Sequence, residues 1–239
     1  IPNAFYIEDC CESHGAEIYG KKVGTLSEGS TFSSYFGHHM TTVEGGFVST
    51  DDTELYELMR AKRSHGLARE CSDEVYQEYI KQYPDVDKRF MFITDGYNFR
   101  NTEFGGVLGL SQLPRLDSII ERRREVCDKF YDMLLDYWDV FELPDFEGNS
   151  SFCLPFILKD RAERIKFQEH LESKGIETRP LCSGNLLRQP FLSEYEPFKE
   201  FPKVDYLHYH GFFIGNNHLI TDDDIEKLKT IIDDYFKVL

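Results

Sequence analysis

The sequence predicts an α/β fold with a large domain over residues 1–144 and a small α/β domain over residues 145–239. Three observations predict it. Short β-rich runs alternate with helical periodicity, polar glycine-rich segments follow the strand-like runs, and after Pro144 the pattern restarts as strand, helix, strand, strand, helix. With 239 residues, 41% of them hydrophobic, the chain can bury a core, which excludes a disordered segment.

Phe5, Tyr6 and Ile7 form a buried-strand pattern that ends in Glu8-Asp9, and residues 31–35 and 46–49 are two further short strands. Asp51 or Asp52 can cap a helix running to about residue 64, with Leu55, Leu58 and Met59 on one face. A short helix from Thr102 precedes a long one over about residues 116–138. In the long one Leu116, Ile119, Ile120, Cys127, Phe130, Leu134 and Trp138 make an apolar stripe, while residues 121–125 are wholly charged. The last domain reads as a strand (152–158), a helix (161–174) stopped by Gly175, strands at 176–179 and 212–215, and a final helix. Thr221 with Asp224 opens that helix as a capping box, with Ile225, Leu228 and Ile232 facing inward.

Lys plus Arg number 27 against 43 Asp plus Glu, a formal net charge of −16, which argues against nucleic acid as a partner. An anionic ligand must be held locally, by a few arginines or backbone N–H groups. The six cysteines form no Cys-x-x-Cys pair, so a reducing cytoplasm is expected. No apolar run approaches the ~20 residues that cross a bilayer, so no membrane association is expected. The chain opens on Ile1-Pro2 with a strand pattern at once, as if inside a domain.

Residues 31–46 are predicted to be an exposed, polar, glycine-rich turn between two strands, carrying His38 and His39. By themselves adjacent imidazoles are either surface residues or a site. They point apart, which disfavours zinc, and no metal is expected. Asp9 and Glu12, among Cys10, Cys11 and His14, either serve a cationic ring nitrogen or cap a helix beginning at Cys10. The clusters at 96–100 and 179–185 are either turns or ligand loops.

In order, the motifs Glu8-Asp9-x-x-Glu12-Ser13-His14-Gly15-Ala16, Phe32-Ser33-Ser34 to Glu44-Gly45-Gly46, Arg63-Ser64-His65-Gly66, Gly96-Tyr97-Asn98-Phe99-Arg100 and Arg179-Pro180 span essentially the whole chain. This pattern resembles the sugar aminotransferases of the DegT/DnrJ/EryC1/StrS family, fold-type I enzymes of the aspartate aminotransferase type that use pyridoxal 5'-phosphate. The resemblance implies that residues 1–144 are the C-terminal part of a cofactor-binding large domain, and that relatives carry a substantial region before residue 5. It places His38 where most members have the lysine that holds the cofactor, a replacement characteristic of sugar 3-dehydratases. It further implies that Asp9 faces the pyridine nitrogen, Glu12 the ring hydroxyl, Ser33 the phosphate, and Asn98 the phosphate in a partner subunit. His65, Arg69, Arg179 and Asn185 are the implied substrate-side residues.

The implied reaction is removal of the C3 hydroxyl from a nucleotide-linked 4-keto-6-deoxysugar, as in dideoxysugar and O-antigen biosynthesis. The cofactor would work as pyridoxamine 5'-phosphate, which needs a proton mover but no stored lysine linkage. His, with an unperturbed pKa near ~6.5, suits that role. L-glutamate would restore the amine form, and a homodimer would share its active sites. His39 is expected to tolerate substitution better than His38. Gly37 stands where a serine is expected, and residues 71–92 hold one cysteine, unlike the clustered cysteines of iron–sulfur-dependent relatives. The rival expectations are an aminotransferase with a displaced lysine and a non-catalytic fragment that holds no cofactor.

Overall fold

The computed structural model describes residues 4–198 and 200–237, so the Ile1-Pro2 opening lies outside the described residues. The chain forms two compact units, Ile1–Leu116 and Asp117–Leu239. The boundary lies ahead of the expected 144/145. The reason is that the long helix buries its apolar face in the core of the second unit instead of closing the first.

In the first unit, β1 (Ile7–Asp9) is followed by a hairpin of β2 (Glu17–Ile18) and β3 (Lys21–Lys22), and then by β4 (Gly29–Ser33) and β5 (Gly46–Ser49). β4 is central, parallel to β1 with Asp9 opposite Thr31, and antiparallel to β5. The first two strands sit two residues from their expected positions, because ladder pairing rather than apolar content sets their ends. Glu8 anchors the returning loop by accepting the N–H groups of Gly24 and Leu26, both at 2.8 Å.

α1 (Thr53–Lys62) begins at Asp52, whose carboxylate accepts the Leu55 N–H at 3.0 Å as the sequence predicts. Its expected apolar face is only partly covered: Leu58 is exposed and Ala61 is its buried residue. α2 (Asp73–Gln82), which the sequence reading missed, buries no residue fully; Val75, Tyr76, Tyr79 and Ile80 share one apolar face that is half-covered. Its start is tied to α1 by the Glu57 carboxylate, which accepts the Ser72 N–H at 2.9 Å. α3 (Glu103–Gln112) follows Thr102 as expected.

The second unit opens with α4 (Leu116–Leu135) and continues through β6 (Cys153–Ile157), α5 (Arg161–Ser173), β7 (Thr178–Arg179), α6 (Pro202–His210), β8 (Gly211–Gly215) and α7 (Asp222–Phe236). The sheet order is β6-β8-β7, antiparallel throughout. The Thr221/Asp224 capping box is present as predicted, with the Asp224 carboxylate accepting the Thr221 N–H at 3.0 Å. Among the described residues no helix is long and apolar enough to cross a membrane.

Two features of α4 depart from the sequence pattern. Trp138 lies beyond the helix end and is 67% exposed, with the Lys159 ammonium over its ring. Arg123, inside the charged run, is buried. Its guanidinium donates to the carbonyls of Phe152 and Asn216, and burial pushes its pKa down to about 10. A charged residue enters the core here because backbone acceptors at two strand ends await it, a fact no periodicity records.

The core of this unit is aromatic: Phe130, Phe141, Phe156, Phe167 and Phe212 are all fully buried, and Phe156 meets the other four at 5.0–5.6 Å between centroids. Replacing Phe167 by Ala is therefore expected to cost about 3–5 kcal/mol, measurable by urea unfolding followed through far-UV circular dichroism.

Candidate functional site

The site of the first unit is built where β1 and β4 end side by side. The chain leaves β1 through a turn closed by the Ser13 N–H on the Cys10 carbonyl at 3.0 Å. Asp9 is not a helix cap, because no helix begins at Cys10. Its Oδ1 accepts the Cys11 N–H two residues on, at 3.2 Å, which is an Asx turn. The Thr31 hydroxyl donates to the same oxygen at 3.4 Å from across the ladder. The Cys11 thiol and N–H, with Thr31, hold the Asp9 carboxyl below its ordinary pKa, so this exposed side chain is a secure anion at the strand end.

The segment from Ser34 to Gly45 is a loop pinched at its neck. Ser34 N–H donates to the Gly45 carbonyl at 3.0 Å, and Thr42 N–H to the Ser34 carbonyl at 2.8 Å. The Ser34 and Thr42 hydroxyls meet at 2.6 Å. Gly45, at φ +148, lies so close to both that a Cβ would stand 2.6 Å from the Thr42 oxygen and 2.8 Å from that of Ser34. The Phe-Ser-Ser and Glu-Gly-Gly motifs are thus the two sides of one clasp. Ser33, the last residue of β4, accepts the Tyr35 N–H at 3.1 Å.

Within the loop Tyr35, Phe36 and Gly37 are exposed, as expected of a turn, but His38 is half-buried and His39 is buried. His39 is 2% exposed and packs 5.7 Å from the ring of His14, itself buried against Phe32. The neck folds the loop inward, and His39 packs there as a core residue. The His38 side chain keeps 10% exposure, with Nε2 3.5 Å from Glu12 Oε1 and its ring edge-on to Tyr35. Two sets of contacts thus gather at the ends of the paired strands, Asp9 with Thr31, and Ser33 through Tyr35 and His38 to Glu12.

Two further motifs meet in the same unit. His65 N–H donates to the Tyr97 carbonyl at 2.7 Å, Phe99 N–H to that of Arg63 at 2.8 Å, and Ser64 and Asn98 form a bridge. A Cβ on Gly96 would collide with the backbone of Gly66 and His65. Gly96→Ala should accordingly open this seam at a cost of about 1–3 kcal/mol, seen as faster amide exchange at residues 64–66 and 97–99. His65 and Asn98 remain exposed, and Asn98 Oδ1 accepts from Arg100 Nε at 3.3 Å. Arg69 donates to the Arg89 carbonyl at 3.1 Å and lies 3.8 Å from Glu70. A cavity of about 610 Å³, lined in part by Met40, Thr42, Arg63 and Arg100, opens beside this seam. Arg63 and Arg100 as cavity residues were missed as site candidates. Both stand in quoted motifs, but only folding shows which arginines line a hollow.

The remaining expected residues, Arg179 and Asn185, lie in the second unit. Arg179 is exposed and paired with Glu177 at 2.6 Å. Asn185 is buried, donating to Asp205 at 2.8 Å and accepting the Leu187 N–H at 3.0 Å.

Comparison with solved structures shows the fold-type I, aminotransferase-like class to which this α/β architecture belongs. Escherichia coli GDP-4-keto-6-deoxy-D-mannose-3-dehydratase with bound hydrated PLP superposes with a TM-score of 0.84 at 31% identity, over 96% of this chain and 60% of that one. The same type of enzyme with a trapped PLP-glutamate geminal diamine gives 0.80 at 31% identity, over 92% and 58%. The chain belongs to the DegT/DnrJ/EryC1/StrS aminotransferase family, whose model matches residues 3–233. GDP-4-keto-6-deoxy-D-mannose 3-dehydratase of Yersinia pseudotuberculosis is 35% identical over 237 residues, 95% of this chain and 59% of that protein. The chain thus spans about three fifths of the length of these relatives.

Proposed function

We propose that this chain is the part of a pyridoxal/pyridoxamine 5'-phosphate-dependent 3-dehydratase that carries His38 as its proton mover, acting on a nucleotide-linked 4-keto-6-deoxysugar. The observation that carries this is His38 in the clasped loop, with Nε2 3.5 Å from Glu12, at the sheet end that also bears Asp9 and Ser33. In the sequence no lysine stands between Lys22 and Lys62, and those two pair with Glu17 and Asp95. The similarity to GDP-4-keto-6-deoxy-D-mannose 3-dehydratases supports the same class of substrate.

The donor set fits the cofactor. Asp9 is ionised, and both of its donors reach Oδ1, so a carboxylate oxygen can serve a protonated ring nitrogen. Ser33 supplies a hydroxyl for the phosphate, and Glu12 a carboxylate toward the ring hydroxyl. When bound, pyridoxamine 5'-phosphate supplies an amine for the sugar's C4 ketone and an electron-accepting ring. Asp9 would face the ring nitrogen as an anion and favour its protonated form. His38 would take up a proton at Nε2 and give it to the C3 hydroxyl, so that the C3–O bond breaks and water leaves. His65, Arg69, Arg179 and Asn185 are assigned to the substrate, with the arginines suited to its phosphates. L-glutamate is the proposed amino donor and the cytoplasm the proposed compartment.

The test is a form of the protein spanning the full family fold, given pyridoxal 5'-phosphate and glutamate and then GDP-4-keto-6-deoxymannose among other nucleotide-linked 4-ketosugars. The expected result is spectral conversion to the amine form and release of 3-deoxysugar. Accumulation of an aminosugar would instead identify an aminotransferase.

The proposed unit is a homodimer in which Asn98 reaches the phosphate held by its partner subunit. Its exposure on a glycine-containing seam supports this. Mixing His38→Asn and Asn98→Ala subunits should restore part of the activity, because one site of each mixed dimer then carries neither defect. No recovery despite subunit exchange, followed by native mass spectrometry, would exclude the shared site.

A further inference from the structure

The mechanism above uses Asp9 but neither of the side chains that hold it. Asp9 ends a strand of three residues and is exposed, so an unsupported carboxylate there would rotate freely about χ1 and χ2. Three features oppose this. The parallel register puts Thr31 directly opposite, and Cys10 N–H donates to the Thr31 carbonyl at 2.8 Å, locking the two strand ends together. The Thr31 hydroxyl reaches Asp9 Oδ1 at 3.4 Å. The turn brings Cys11 back so that its N–H meets the same oxygen at 3.2 Å, while its Sγ lies 4.0 Å from Thr31 Oγ1.

We infer that Thr31 and Cys11 are positioning residues for Asp9: the Thr31 hydroxyl and the Cys11 N–H clamp one carboxylate oxygen and leave the other to the ligand, while the Cys11 thiol backs the Thr31 hydroxyl. This rests on the proposed role of Asp9 toward a cofactor nitrogen. Burial, followed by the nearby Asp9 carboxylate, raises the Cys11 pKa, so the thiol stays protonated and can donate to the Thr31 oxygen. Vicinal Cys10 is more deeply buried, its thiol raised to about 11 chiefly by that burial, and takes no part in the clamp. The side chains act on Asp9 from one side only, which fixes orientation as well as charge.

The clamp is tested first without cofactor, by following the Asp9 carboxyl carbon through a pH titration by NMR in the 239-residue chain. Thr31→Val should move its midpoint upward, since it removes a donor to the charged form, and Cys11→Ala should move it the same way by less, since it leaves the Thr31 hydroxyl without its thiol neighbour. Thr31→Ser and Cys11→Ser, which keep a hydroxyl, should restore it. If Thr31→Val titrates like the unaltered chain, the clamp is wrong. Should Thr31→Val fail to fold, Thr31→Ala, which removes the same hydroxyl with a smaller side chain, decides in its place. In the full-fold protein the same variants should weaken pyridoxamine 5'-phosphate binding about tenfold, the loss of one charge-assisted hydrogen bond. A normal titration shift with unchanged cofactor affinity would keep the clamp and overturn the cofactor role of Asp9, so the two failures are distinguishable.

Discussion

Replacing His38 by Lys in the full-fold protein is expected to lower dehydration by about 10²–10⁴-fold, the usual contribution of a positioned acid–base group. It should also create a covalent attachment to pyridoxal 5'-phosphate that borohydride reduces. His38 sits in a loop closed by the Ser34, Thr42 and Gly45 contacts, so the new amine would be presented from the same clasp. Turnover assays with mass spectrometry after reduction check both parts. A variant that dehydrates at the original rate would remove His38 from the mechanism.

Asp9→Asn is expected to separate activity from stability. An amide can still accept from Cys11 and Thr31, so the turn survives, and unfolding in urea should shift by no more than about 1 kcal/mol. It cannot balance a protonated ring nitrogen as an ionised carboxylate does, so kcat should fall on the order of 10²-fold or more. Equal losses in the two measurements would return Asp9 to a purely structural role.

The helix starts at Asp52 and Thr221 were legible in the sequence, because each depends on residues within one turn of each other, whereas α2, α6 and the β2–β3 hairpin were not foreseen. Asp52 and Leu55, or Thr221 and Asp224, need only three positions to specify a cap. The motifs were legible too, and with them the family. α2 carries an apolar face at helical spacing that the sequence reading passed over, and Arg123 was hidden because its charge concealed a core position.

The contacts that make the motifs a site were decided only by tertiary structure. Asp9 and Thr31 are 22 positions apart and meet because β1 and β4 pair in one register; a slip of one residue would send the hydroxyl to the other face. Glu12 reaches His38 because a pinched loop returns over the strand end, and the same pinch buries His39, which local polarity had marked as exposed. Residues 62–66 and 96–99 join because two glycines allow their backbones to approach. Local hydrogen bonds and side-chain period are written in neighbouring residues. The meeting of distant side chains depends on register, loop closure and packing, which exist only once the chain has folded.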